Sequence, residues 1–457
     1  MPAMPALPIL HSPHPPRRMA SAVPWLLLFL TTGTSRAAEA SATASVPTDW
    51  KARALATVES HRMATLNVEV VDAQGFPLPG AVVSIRQVRS GFNWAIASSD
   101  STHDTAPPGL ASNLFNAVSA PPSALARADA WTALASSTTR HGLGLRAAWT
   151  GSGPQGVSPV PGTESVEWDL PSDLAPADLA KAVHRLRHEA PFGRIFLSGP
   201  DLLGAPTRQP VGALRQLASR LAAQDQGVDG LATVVRLGPE APTPAEWQAR
   251  LDEGANAATG AAPLTWHLTV QPMAGASEGD AARRLSDFLL LAYGHPAVTG
   301  VTLRAAEGHP LLGKDGGLSA TGAAWSNLVG GAWFTRIDAR ASLSGIASAR
   351  VFRGEHEVSV DLGGSRVATR VVVAADATAR LVTPLVPPTL SAQPGDLLEF
   401  TWPSRATGYV LETTANPVEG PWNPCETFAV RGRETWRQSH GASSGVRYFR
   451  LRRGDAP

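Results

Sequence analysis

The chain has 457 residues, 43% of them hydrophobic, enough for two to four domains and at least one large core. Its formal net charge is +1, 17% of residues are charged and the basic ones are scattered, a pattern that argues against nucleic-acid or anionic-membrane partners. The single cysteine, Cys425, excludes an intrachain disulfide and is read as structural.

At the N-terminus, Arg17 and Arg18 precede the apolar run Val23–Leu30, which is too short to span a bilayer. Small residues follow, and Ser35-Arg36-Ala37 or Ala38-Glu39-Ala40 fits a small-x-small cleavage site. Residues 1–40 therefore read as a secretory signal peptide, and the mature protein as secreted, periplasmic or held in the cell envelope without a membrane span. The alternative is an uncleaved anchor. Residues 41–63 read as a mobile lead-in.

Residues 64–91 alternate apolar and polar side chains on either side of Asp72–Gly75, Pro77 and Pro79, which predicts a small N-terminal β module. From 92 to 335, eight short apolar runs alternate with amphipathic helices. The strand candidates are Asn93–Ala97, Phe115–Val118, Leu143–Ala148, Val166–Leu170, Arg194–Leu197, Leu231–Leu237, Leu264–Val270 and Val298–Leu303. This order predicts an α/β fold of the (β/α)8 type, the TIM-type barrel. An open doubly wound sheet is the runner-up, but no Gly-rich phosphate loop follows any strand. Residues 336–385 read as a β extension of the barrel. After the linker Val386–Thr389, residues 386–457 read as a C-terminal, fibronectin-like β-sandwich. Its Trp402, Trp422 and Trp436 could stack on sugars, although burial is the commoner fate of a sandwich tryptophan.

In barrels of this type the loops after the strands carry the chemistry, which draws attention to Val166–Asp173. Trp168-Asp169-Leu170-Pro171-Ser172-Asp173 resembles the acid/base strand of glycoside hydrolase family 10, the retaining endo-xylanases, which reads Trp-Asp-Val-Val-Asn-Glu. Arg194–Leu197, the His295-Pro296 stretch before Val298, and Asp315–Gly317 with Trp325 resemble further elements of that family. Residues 71–83 are similar to the β region preceding some of its barrels. The C-terminal module is similar to those of secreted Verrucomicrobia-type proteins. The resemblance implies a secreted protein whose partner is a xylan-like β-1,4 polysaccharide, with no cofactor and no metal.

Retaining hydrolysis needs two carboxylates about 5–5.5 Å apart. The resemblance puts Asp173 at the acid/base position, one methylene shorter than Glu, and a displacement of that size can cost about 10²-fold in rate. Asp173 could instead cap the helix beginning near Pro176. At the nucleophile position the resemblance puts Leu268, which can neither attack nor stabilise a cation. The resemblance also puts Ala148 where a sugar-contacting His should be, Val234 in place of a Gln and Arg236 in place of a His, and Arg304 in the region of a cleft tryptophan. Trp168, Asp169, Arg236 and Trp266 are the substrate-binding candidates.

No His-Glu-x-x-His or Gly-x-Ser-x-Gly motif is present, so zinc and serine-hydrolase chemistry find no support. The expectation is a catalytically degenerate, family 10-like protein that binds polysaccharide. Two alternatives stay open. One is an active retaining enzyme with Asp173 as acid and a relocated nucleophile from loop carboxylates such as Asp201 or Glu307. The other is a structural envelope protein whose cleft is closed by Leu268, Trp266 and Arg236.

Overall fold

The computed structural model describes residues 50–73, 75–97, 114–120, 124, 127–149, 166–204, 211–256, 263–272, 277–304, 311–313, 317–362, 365–383, 390–394, 397–403, 409–427, 429–432, 435–441 and 446–453. The expected signal peptide, the Val386–Thr389 linker and Glu307 lie outside them. No helix among the described residues is long and apolar enough to cross a membrane.

Strands β3 (Asn93–Ala97), β4 (Ala117–Ser119), β5 (Gly144–Ala148), β6 (Val166–Pro171), β7 (Arg194–Pro200), β8 (Gly230–Leu237), β9 (Thr265–Pro272) and β10 (Val298–Leu303) close into one parallel barrel. Their pairing follows chain order, and β10 bonds back to β3. The fold is the predicted TIM-type barrel. Every predicted strand run overlaps an observed strand. The reason is visible in the strands' outer faces: Trp94, Ile96, Leu145, Val166, Trp168, Leu170, Ile195, Leu197, Leu231, Val235, Trp266, Leu268, Val270, Val301 and Leu303 are buried in one apolar core. Burial of that layer under the surrounding helices drives closure. The helices are α2 (Ala128–Arg140), α3 (Pro176–Glu189), α4 (Val211–Ala222), α5 (Pro244–Ala255) and α6 (Glu278–Gly294).

Part of the expected lead-in is ordered: Trp50–Arg62 forms helix α1, docked on α6. Lys51 pairs with Asp287 at 2.8 Å. Arg62, over the rings of Phe92 and Tyr293, donates to the carbonyls of Tyr293, His295 and Val298, each at 2.7 Å. The sequence of α1 traces no apolar stripe, so tertiary contacts hold it.

The N-terminal β module and the β extension, predicted as separate regions, form one body. Strand β1 (Met63–Asp72) lies between β12 (Ile346–Phe352) and β15 (Ala377–Thr383). Strand β2 (Val82–Ser90) lies between β11 (Arg336–Arg340) and β13 (Gly354–Leu362), with β14 (Ser365–Val373) at the edge. The two sheets share a core of Leu66, Val68, Val70, Val83, Ile85, Val351, Val358 and Leu381. A two-stranded hairpin cannot bury its own apolar face, so β1 and β2 draw on strands from the far side of the barrel. Beyond residue 390, two further antiparallel sheets share Phe400, Trp402 and Leu411.

Candidate functional site

Side chains alternate along each strand, and one contact sets the phase for β9. His267 Nδ1 lies 3.1 Å from Glu167 Oε2 on β6, across the barrel, and its Nε2 lies 2.8 Å from Thr302 Oγ1 on the neighbouring β10. His267 therefore faces the lumen, and so do Thr265, Thr269 and Gln271. Trp266, Leu268 and Val270 face the helices.

This phase corrects two expectations. Leu268 is fully buried in the apolar layer outside the barrel, so it neither occupies a nucleophile's position nor fills a cleft. The residues that point inward nearby are Thr269 and Gln271, and neither is a carboxylate. Trp266 likewise points outward. Its indole N–H donates to Leu251 O of α5 at 2.9 Å, and its ring takes the space that a Cβ on Gly254 would need. Trp168 is buried on the outer face too, with its ring 5.7 Å from that of Trp131 on α2, out of reach of a ligand in the mouth.

The lumen is filled by charge. Arg146 of β5, 1% exposed, donates from Nη1 to Glu167 Oε2 at 2.5 Å and from Nε to Asp169 Oδ2 at 2.9 Å, with Nη2 reaching Asp169 Oδ1. Arg194 of β7 reaches Glu167 Oε1 at 3.3 Å and donates to Thr265 Oγ1 at 2.7 Å. Phe196 lies against both guanidinium groups, at 4.7 and 4.9 Å. Room for this cluster comes from glycines. A Cβ at Gly300 would collide with the His267 ring, and one at Gly230 with Phe196. Asp169, expected to contact substrate, is instead the bidentate partner of Arg146. Asp169 belongs to a motif that carries the family resemblance, and here it bonds to Arg146.

Burial raises the Glu167 carboxyl, but His267, Arg146 and Arg194 outweigh it and hold the group well below the usual carboxylate range. For Asp169, burial wins and pushes the carboxyl up, with Arg146 opposing. Burial, reinforced by Arg146, lowers His267 to about 4. His267 is thus neutral near pH 7, since a third cation beside two guanidinium groups is disfavoured. The guanidinium groups, rather than an imidazolium, keep Glu167 ionised there. Two arginines then balance the two inward carboxylates, Glu167 and Asp169, among the described residues.

At the C-terminal mouth, Asp173 is exposed in the turn after β6. It does not cap α3: the N-cap is Ala175, without a side-chain cap hydrogen bond. Asp201 directly follows β7 with φ of 43°, in the left-handed region, and faces Arg236 at 3.8 Å. Burial raises its carboxyl. Arg236 stands at the inward-facing end of β8, with its side chain about half exposed.

His184 and His188, four apart on α3, fall on one helix face and are exposed. Among the described residues no group of three or more His, Cys, Asp or Glu side chains could hold a metal ion.

The lumen cluster had a sequence signal that went unread: Arg146, Glu167, Asp169 and His267 are charged or polar residues at alternate positions within apolar strands. Their partners lie on other strands, so strand-by-strand reading cannot pair them.

No family model and no curated protein matches the sequence. Solved structures do match. A thermostable xylanase mutant from Cellvibrio japonicus is 13% identical, with 53% of this chain and 98% of that one covered, at a TM-score of 0.39. A family 10 xylanase from Thermobacillus composti is 15% identical, with 51% and 96% covered, at 0.39. Native xylanase 10B from Thermotoga maritima is 10% identical, with 52% and 95% covered, at 0.40. Scores of this size add nothing to the fold assignment, which rests on the hydrogen-bonded order of the barrel strands.

Proposed function

We propose that this is an exported, divergent relative of the family 10 xylanases that has lost retaining hydrolysis and acts by binding a xylan-like polysaccharide. The observation that carries this reading is the set of inward-facing strand ends at the barrel mouth. They are Ala97, Ser119, Ala148, Pro171, Pro200, Arg236, Gln271 and Arg304, and none is a carboxylate. A retaining site needs two. The carboxylates that the strands do aim inward, Glu167 and Asp169, are held by Arg146 and Arg194. The motif likenesses in the sequence, from Trp168-Asp169 to His295-Pro296, support descent from that family.

The test is release of reducing sugar from xylan by the mature protein at high loading, beside Asp173→Ala. The expected result is no release from either, with retardation of the protein in xylan-containing native gels. Release that Asp173→Ala abolishes would instead establish a working carboxylate pair and overturn the reading.

A further inference from the structure

The C-terminal mouth carries a row of donors across three adjacent strands. Arg236 of β8 is in register with Gln271 of β9. Leu303 of β10 is in register with Val270, and Arg304 N donates to Val270 O at 2.9 Å, so Arg304 follows beside Gln271. All three share the inward phase, because Thr302, two residues before Arg304, reaches His267 in the lumen. Strands lie about 4.8 Å apart, which puts the two arginine backbones roughly 10 Å apart with an amide between them. That gap fits one sugar residue gripped from both sides.

Both arginines are exposed, and neither is fully engaged. Arg236 faces Asp201 at 3.8 Å, a loose pairing that leaves guanidinium edges open. Arg304 makes no ion pair within 4 Å among the described residues. The carboxylate that feels its charge, Asp169, already receives both donors of Arg146. The two guanidinium groups offer donors alone, and the Gln271 amide between them adds NH2 donors beside its one acceptor oxygen. Neutral sugar hydroxyls ask for acceptors as well as donors, whereas a carboxylate asks for donors alone and matches a guanidinium in a two-point contact.

We propose that Arg236 and Arg304, with Gln271 between them, form a carboxylate-recognising subsite that selects polysaccharides bearing uronic acid residues over neutral ones. This rests on the glycan-binding reading and names the class of glycan.

The experiment is affinity electrophoresis of the full chain in native gels containing glucuronoxylan, neutral arabinoxylan or no polysaccharide. Wild type is run beside Arg236→Ala, Arg304→Ala and Arg304→Lys. Retardation by glucuronoxylan is expected at about tenfold lower polysaccharide concentration than by arabinoxylan. Each alanine substitution should weaken it about tenfold, with Arg304→Lys intermediate, as for loss of a charge-assisted contact. Both side chains are exposed at strand ends, and unchanged thermal melting verifies that the variants fold. Equal retardation by both glycans, or retardation that neither alanine variant changes, overturns the subsite and leaves glycan binding standing. No retardation by either glycan overturns both.

Discussion

Arg146 is the residue on which the barrel interior depends. Its guanidinium pairs with two carboxylates on one strand while lying against Phe196. Desolvating such charges costs several kcal/mol per ion, and only the near-complete pairing offsets it. His267 completes the cluster and must stay neutral to do so. Its folded pKa, about 4, lies below the ordinary value of 6.5. Between those values the unfolded chain binds a proton that the folded one does not, so stability falls as pH drops through this window. The full effect is about 3 kcal/mol, present above pH 6.5 and lost by pH 4. Urea unfolding of wild type and His267→Asn at several pH values checks this. The variant should show a shallower loss across the window, and parallel curves would contradict the assignment.

Helix α1 shows how an element can be held by its surroundings more than by its own sequence. Gly294, at the end of α6, lets the α1 backbone approach closely, and a Cβ there would stand 2.9 Å from Ala54 O. Backbone cannot yield as a flexible side chain can. Gly294→Ala should therefore cost about 1–3 kcal/mol through steric overlap. Its helix-propensity gain is under about 1 kcal/mol, and less at a helix end, so the clash wins. Hydrogen exchange should show α1 amides losing protection first, with the barrel strands still protected. Equal protection of α1 in both proteins would count against close packing at this point.

For the molecule as a whole, the apolar cores define what depends on what. Among the described residues, neither the barrel core nor the core of the first pair of sheets takes one from beyond Leu381. That first pair needs strands from both sides of the barrel, since β1 and β2 find their partners after residue 335. A chain ending at residue 383 should melt within about 3 °C of the full protein, a shift worth about 2 kcal/mol for a chain of this size. One ending at residue 335 should lose cooperative melting, because β1 and β2 would expose their apolar faces. Circular dichroism melts of both distinguish the outcomes, and cooperative melting of the shorter chain would show the sheets to be dispensable.

The sequence by itself determined the barrel: its eight strand runs and the helices between them were legible because hydrophobic periodicity is local, written within each run. The local pattern did not show that Leu268 belongs to the outer apolar layer. Tertiary structure decided the rest. Which face of β9 looks inward follows only from closure, since a single residue of phase swaps lumen for helix layer. His267 meets Arg146 and Glu167 only when β9 closes round to face β5 and β6, and β1 takes its neighbours from nearly three hundred residues away. The pairing of Glu167 with His267 and of β1 with its neighbours joins residues that no short window of sequence contains together.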